Sequence, residues 1–516
     1  MLILSTETPT NVENQFISKP NMKLPLLLSL VIPTGAFIIP LSRKNHASSP
    51  LSSFTETIET QNDVTIGGTT TDVEQIVNKK SDRTTFSTPA EYENTKFQCD
   101  ETVNFWMDFN RQGLYETQDY VKEITDVSDR FFAKGGEALR YWIRHNARTG
   151  YFATNAALGT ISSQLYERLR SKDAPEENFA NRMTGAIPRL LTESSLAYEQ
   201  DYDRIANGKY ELPHDMYTRN RQNSPFYMAQ QTSRFVSEAV GTLTRRNRGS
   251  EEDKRIWLSD SKSNMYPDYY KTAFHYQTNG WMSQDSANAY ETSTETLFLG
   301  RQDAMQRTAL VPLVQYARDV CSSGEKRKPM KVLEVACGTG RFMTFARDNL
   351  PLDTEFTAVD LSPFYLNNAK DNDKNWRSIR EQVEASSGNT QVTIKPAKFV
   401  QAKGEDLPFH DEEFDAVICM YLYHEIPREI RAQVSSEMAR VTQKGGKIIL
   451  TDSCQKGDRP ANDKIIGRFA EMNEPHWNDF VEDFLPAHFE KVGMECSTKI
   501  LCSSTKTLAF NKPREE

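Results

Sequence analysis

Cysteine is scarce in this chain: Cys99, Cys321, Cys337, Cys419, Cys454, Cys496 and Cys502 are seven thiols among 516 residues, with no C-x-x-C pair and no histidine at zinc-binding spacing. An odd, scattered set argues against a disulfide framework and for a reducing compartment, each thiol reading as a small buried apolar residue. No metal site is expected. An excess of positive charge is missing as well, because 62 Lys+Arg against 71 Asp+Glu leave a net charge of −9. Whole-molecule capture of nucleic acid or of an anionic membrane is therefore disfavoured, and a small, locally bound partner is favoured. The apolar run from Leu24 to Ile39 is shorter than the ~20 residues a membrane helix needs and is broken by Pro25 and Pro33, so no stable membrane anchor is expected. Internal repeats are absent too.

What is present is a chain long enough for two or three domains, with 38% apolar residues and a mean hydropathy of −0.64 that implies large solvated segments. Residues 1–47 read as a targeting segment. From Met22 one lysine precedes the apolar run, and Arg43, Lys44 and a Ser-rich, acid-free stretch follow it, which is the order of a signal core and a transit region. The junction Gly35-Ala36-Phe37 resembles the cleavage junction of plastid preproteins in diatoms and related algae, which implies a plastid location. The other reading, an ordinary secretory signal, would carry unpaired thiols into an oxidising space. Residues 48–98, rich in Ser, Thr, Asn, Asp and Glu, are expected to be a disordered linker.

Between residues 99 and 263 apolar residues recur at three and four, as in Val103, Phe105, Trp106 and Phe109, or Leu139, Tyr141, Trp142 and Ile143, which predicts a helical domain. The basic cluster Arg245–Arg255 contains Glu251, Glu252 and Asp253 and reads as a solvated mixed face. Residues 264–328 are expected to form a helical connector or lid. From 329 to 512 the pattern changes to strands at Lys331–Val335, Glu355–Val359, Lys398–Lys403, Ala416–Met420 and Lys447–Thr451, followed by a hairpin of Met494–Cys502 and Lys506–Phe510. Strands with helical crossovers predict an α/β fold: a doubly wound, Rossmann-like, seven-stranded sheet covered on both faces.

Candidate chemistry sits at the carboxyl ends of these strands. The turn Glu334-Val-Ala-Cys-Gly338-Thr-Gly340 lets a ligand approach backbone closely, yet Met343 breaks the dinucleotide pattern and no phosphate-binding Gly-Lys-Ser/Thr follows. Asp360 ends the second strand, placed to accept both hydroxyls of a ribose. After the third strand, Gly404-Glu405-Asp406-Leu407-Pro408-Phe409 offers an acidic turn for an exocyclic amine. Together these ends describe an adenosine without a pyrophosphate.

Val332–Gly340, Val359–Ser362, Glu405–Phe409, Phe414–Val417 and Arg440–Ile448, occurring in that order, resemble the successive motifs of class I S-adenosylmethionine-dependent methyltransferases. The resemblance implies S-adenosyl-L-methionine as cofactor and a small-molecule methyl acceptor. It assigns Glu334, Gly338 and Gly340 to the methionine part, Asp360 and Leu361 to the ribose, Asp406 and Leu407 to adenine, and Met420 and Tyr421 to the sulfonium. Ala336 departs from the family's usual glycine by one methyl. Upstream, Phe274–Trp281 and Glu291–Arg307 resemble a plant and cyanobacterial branch. His424 and Glu425, just past the fourth strand, are the nearest titratable candidates, His424 the candidate general base with Tyr421 beside it, and Tyr276, Trp281, Tyr423 and Trp477 are candidates for an aromatic acceptor wall. S-methylation of a thioether such as 4-methylthio-2-hydroxybutyrate, O- or N-methylation with His424 as base, and a nonenzymatic assembly or regulatory protein that retains the cofactor fold all stay open.

Overall fold

The computed structural model describes residues 86–170, 179–216, 220–248, 265–322, 328–386 and 393–514. The expected targeting segment and the first part of the expected linker lie outside the described residues.

A mixed sheet organises the molecule. Its strands are β1 (Gln98–Cys99), β2 (Lys331–Val335), β3 (Glu355–Asp360), β4 (Lys398–Gln401), β5 (Phe414–Met420), β6 (Thr442–Ser453), β7 (Glu495–Cys502) and β8 (Thr505–Asn511). They run in the order β1-β7-β8-β6-β5-β2-β3-β4. Strands β4, β3, β2, β5 and β6 are parallel, β8 is antiparallel to β6 and β7, and β1 joins β7 in parallel. Order reverses between β3 and β5 around β2, which opens a crevice at the carboxyl ends where such sheets bind ligands.

Alternate strand residues feed two cores. Leu333, Val335, Val417, Cys419, Ile448 and Leu450 share one face with α12 (Arg428–Val441) and α14 (Pro486–Glu490). Val332, Phe356, Ala358, Ala416, Ile418 and Ile449 share the other with α9 (Leu310–Ser322), α10 (Arg341–Asn349) and α11 (Pro363–Ser386). Both faces are covered, as the near-continuous apolar strands require.

One expectation is corrected here. The stretch assigned to a disordered linker up to residue 98 contains α1 (Pro89–Lys96), capped by Thr88, and the start of β1. Tyr92 and Phe97 pack on Phe484 and Phe510, and the helix is anchored by charge as well. Glu93 is wholly buried and lies 2.9 Å from Lys499 and 2.5 Å from Lys506, while Asp458 lies 2.6 and 3.1 Å from the same two ammonium groups.

Helices α2 (Glu101–Asp108), α3 (Thr117–Lys134), α4 (Gly136–Arg170), α5 (Phe179–Ala206) and α6 (Pro225–Arg248) form a layer against the hairpin end of the sheet. Trp106, Phe131, Tyr141, Trp142 and Tyr198 pack in one cluster with Leu501 and Cys454, so the layer and the sheet share a core. Buried ion pairs bind them further: Arg307 grips Asp201 through Nε and Nη2 at 3.0 and 2.6 Å, and Arg459 reaches Glu193 at 3.1 Å. The connector contributes α7 (Gln284–Leu297) and α8 (Gln302–Gln306), and α13 (Trp477–Phe480) lies between β6 and α14. Among the described residues no helix is long and apolar enough to cross a membrane.

Candidate functional site

The crevice holds a cavity of about 800 Å³, its open mouth included, bounded by the ends of β2, β3, β4 and β5 and by the connector. The turn after β2 shapes its floor. Ala336, Gly338 and Gly340 all adopt positive φ, at 56°, 54° and 70°. A Cβ at Gly338 would meet no protein atom within 4 Å and would project into open space, whereas at Gly340 it would stand 3.0 Å from the Ala369 Cβ. Gly338 thus keeps the cavity clear, and Gly340 lets α10 start close against α11. Ala336 carries the left-handed conformation with a methyl group attached, at a cost of roughly 1–2 kcal/mol.

Asp360, where β3 ends, is fixed by two backbone donors: the N–H groups of Gly338 and Ser362 each reach a carboxylate oxygen at 2.8 Å. Burial outweighs these bonds and pushes the carboxyl up to about 6. Glu334, on β2, is buried, and burial with the nearby Asp360 pushes it up to about 8. Its Oε2 has no hydrogen-bond partner among the described residues. A pair of buried carboxyls with no side-chain cation paired to either among the described residues suits a ligand that carries positive charge and hydroxyl donors.

Of the residues picked from sequence, Gly338, Asp360, Leu361, Met420, Tyr421 and Trp281 line this cavity. Others do not. The Asp406 side chain is 78% exposed and faces Lys403 at 3.8 Å, while Leu407 is buried in the sheet core. The end assigned to adenine is instead walled by Ala402, Lys403, Gly404 and Glu405, the last accepting a hydrogen bond from the Tyr269 hydroxyl at 2.8 Å. Tyr423 is a core ring stacked on Phe489, its hydroxyl bonded to Ser435. Trp477 packs on Phe469 and donates to the Ile466 carbonyl, and Tyr276 lies off the wall with its carbonyl held by Arg245. The acceptor-wall assignment therefore fails for Tyr276, Tyr423 and Trp477.

His424 is likewise off the wall, edge-on to Trp477 and Phe480, with Nδ1 2.6 Å from Asp452. Burial alone would lower its pKa, but Asp452 reverses this and lifts the imidazole to about 9. It is held as a cation at neutral pH rather than poised as a base. The walls also include Glu425, beside His424, and the rings of Tyr269, Tyr270, Phe274 and Tyr290; the first three rings sit on short 3-10 turns without apolar periodicity, and Tyr290 lies on α7.

A second cavity of about 1060 Å³, mouth included, opens between α4, α6, α7 and the start of α10, and shares Tyr290 with the first. Its charges cancel internally: Arg148 lies 2.8 Å from both Glu295 and Asp303, and Arg341 lies 2.6 Å from Asp303 and 2.8 Å from Asp215.

Comparison with known proteins adds sequence support to this geometry. A family profile described as Methyltransferase domain matches residues 332–446, the span from β2 into β6. A phosphatidylethanolamine N-methyltransferase of Cereibacter sphaeroides is 32% identical over 142 residues, covering 27% of this chain and 59% of that protein. A demethylmenaquinone methyltransferase of Staphylococcus aureus (strain MRSA252) is 28% identical over 129 residues, covering 25% of this chain and 45% of that protein. The chain thus spans about half the length of these relatives. Among solved structures, an O-methyltransferase family protein from Burkholderia thailandensis aligns with a TM-score of 0.31 at 14% identity, covering 54% of this chain and 73% of that one.

Proposed function

We propose that the chain is an S-adenosylmethionine-dependent methyltransferase that acts on a small molecule. The observation that carries this reading is Asp360, a buried carboxylate fixed at the end of β3 by two backbone N–H groups beside a turn whose Gly338 leaves the floor open. In the proposal Asp360 accepts the ribose hydroxyls, Ala402–Glu405 border the adenine, and Glu334 and the Gly338 turn face the amino-acid end. When bound, the cofactor supplies a methyl group on a sulfonium that an acceptor lone pair displaces in line, the bonding electrons returning to sulfur. Residues Met420 and Tyr421 border the reacting end, and the rings of Trp281 and Tyr290 exclude water and favour positive charge.

Within this reading a thioether acceptor such as 4-methylthio-2-hydroxybutyrate, methylated in an algal plastid, suits the site best. A thioether gives a sulfonium and releases no proton, and His424, the candidate base, does not line the cavity and is engaged by Asp452, which leaves Glu425 as the carboxyl on the wall. An O- or N-acceptor that carries a proton would need a base.

Calorimetry with S-adenosylmethionine and S-adenosylhomocysteine tests the first claim, and absence of binding to both overturns it in favour of a nonenzymatic role. Labelled methyl transfer to the thioether by wild type and His424→Ala tests the second. Retained turnover is expected, whereas a ~10²–10⁴-fold loss would restore the base-dependent alternative.

A further inference from the structure

Three segments far apart in sequence meet beside the first cavity. His275 comes from the connector, Glu425 from the turn after β5, and Glu474 from the segment before α13. Each offers a ligand atom, and the three atoms lie within 4.8 Å of one another. Glu474 is only 1% exposed, and neither of its oxygens accepts a directed hydrogen bond among the described residues, although Oε1 stands 2.9 Å from His275 Nε2. Leaving a buried carboxylate so poorly satisfied costs several kcal/mol unless a cation joins it. Two ligands that bind one ion at ~2.1 Å across a right angle stand about 3 Å apart, which is the spacing seen between His275 and Glu474.

We infer that His275, Glu425 and Glu474 form a binding site for a first-row divalent transition metal ion. One imidazole nitrogen and two carboxylates form a borderline donor set, suited to Mn²⁺ or Zn²⁺ rather than to the all-oxygen environment that Ca²⁺ and Mg²⁺ prefer. Glu425 also lines the cavity, so the side of the ion left open by the protein faces the space where an acceptor lies. There it would hold an oxygen of the acceptor. His424 Nε2 stands 3.8 Å from Glu425. The Asn473 side chain, bonded to the Ala273 carbonyl at 2.7 Å, fastens the Glu474 segment to the His275 segment. Sequence spacing gives no hint of the site, because its ligands are separated by 150 and 49 residues.

The test uses full-length, untagged protein stripped with a chelator, titrated with Mn²⁺ by electron paramagnetic resonance and with Zn²⁺ by calorimetry, with no cofactor added. One ion per chain is expected in the wild type, with a melting temperature that rises on addition and falls back with chelator. Glu474→Gln and His275→Gln should each weaken binding roughly 100-fold. Should Glu474→Gln fail to fold, His275→Gln, at a half-buried position, carries the comparison. No uptake of either ion by the wild type overturns the inference, as does uptake that both variants leave unchanged. Cofactor is absent from these titrations, so a failure here leaves the methyltransferase reading intact, and a protein that binds metal but not S-adenosylhomocysteine sinks only the latter.

Discussion

Replacing Asp360 with Asn tests the cofactor reading most directly, because the substitution keeps size and removes charge. In the wild type the carboxylate uses one lone pair on each oxygen for Gly338 and Ser362 and keeps the remainder for ligand hydroxyls. Hydrogen bonds to a charged acceptor are worth about 1.5–3 kcal/mol, and each 1.36 kcal/mol is a factor of ten, so S-adenosylhomocysteine should bind Asp360→Asn about 10- to 150-fold more weakly at pH 7.5. The pH dependence adds a second signature. Only the ionised carboxylate accepts both hydroxyls, and burial pushes this group up to about 6, so wild-type affinity should fall as pH drops through 6. The ratio between wild type and variant should therefore narrow between pH 7.5 and pH 5. The new amide also places an N–H group against one of the two backbone donors, at ~1–3 kcal/mol of stability, so melting curves must accompany each titration. Equal dissociation constants at pH 7.5 in folded protein, or a ratio that does not change with pH, would refute the ribose assignment.

Two further outcomes concern stability. Glu93→Gln leaves Lys499 and Lys506 sharing Asp458 alone in a dry environment, and chemical denaturation should register a loss of about 3–5 kcal/mol; a change below ~1 kcal/mol would mean that water reaches the lysines. His145 is buried, and desolvation together with Arg307 lowers it to about 3. The unfolded chain therefore takes up a proton below pH 6.5 that the folded chain refuses. Stability should then fall with decreasing pH by up to ~1.4 kcal/mol per unit from this group between pH 6.5 and 3, and His145→Phe should remove one proton's worth of that slope. Identical slopes in the two proteins would contradict the burial argument.

The strands were legible because parallel, doubly covered strands are written as short apolar runs, and Asp360 and Gly338 followed from where those runs end. The acidic turn after β4 meets the cavity two residues earlier than its sequence suggests. Strand β4 stops at Gln401 rather than Lys403, so the turn begins earlier and presents Ala402–Glu405 to the cavity, leaving Asp406 in solvent. The end of the strand explains Tyr423: Tyr421 leaves β5 with φ at 53° and lines the cavity, and a short 3-10 turn places Tyr423, which continued alternation would have put on the same side, in the core. The helix at Pro89–Lys96 was hidden because its buried anchor is an ion pair formed with strands four hundred residues away, and no local pattern encodes such a partner.

That anchor also sets a limit on proteolytic trimming. Strand β1 covers the outer edge of β7 from Gln98 to Cys99, and Glu93 neutralises the lysines just inside it. Among the described residues, none before Gln98 pairs with the sheet. A cut beyond Phe97 would strip the backbone donors and acceptors of β7 and leave Lys499 and Lys506 without Glu93, creating an open strand edge that invites a second chain to pair with it. Trimming of this protein therefore has a sharp boundary, on one side of which the edge of β7 is covered and on the other is an aggregation template.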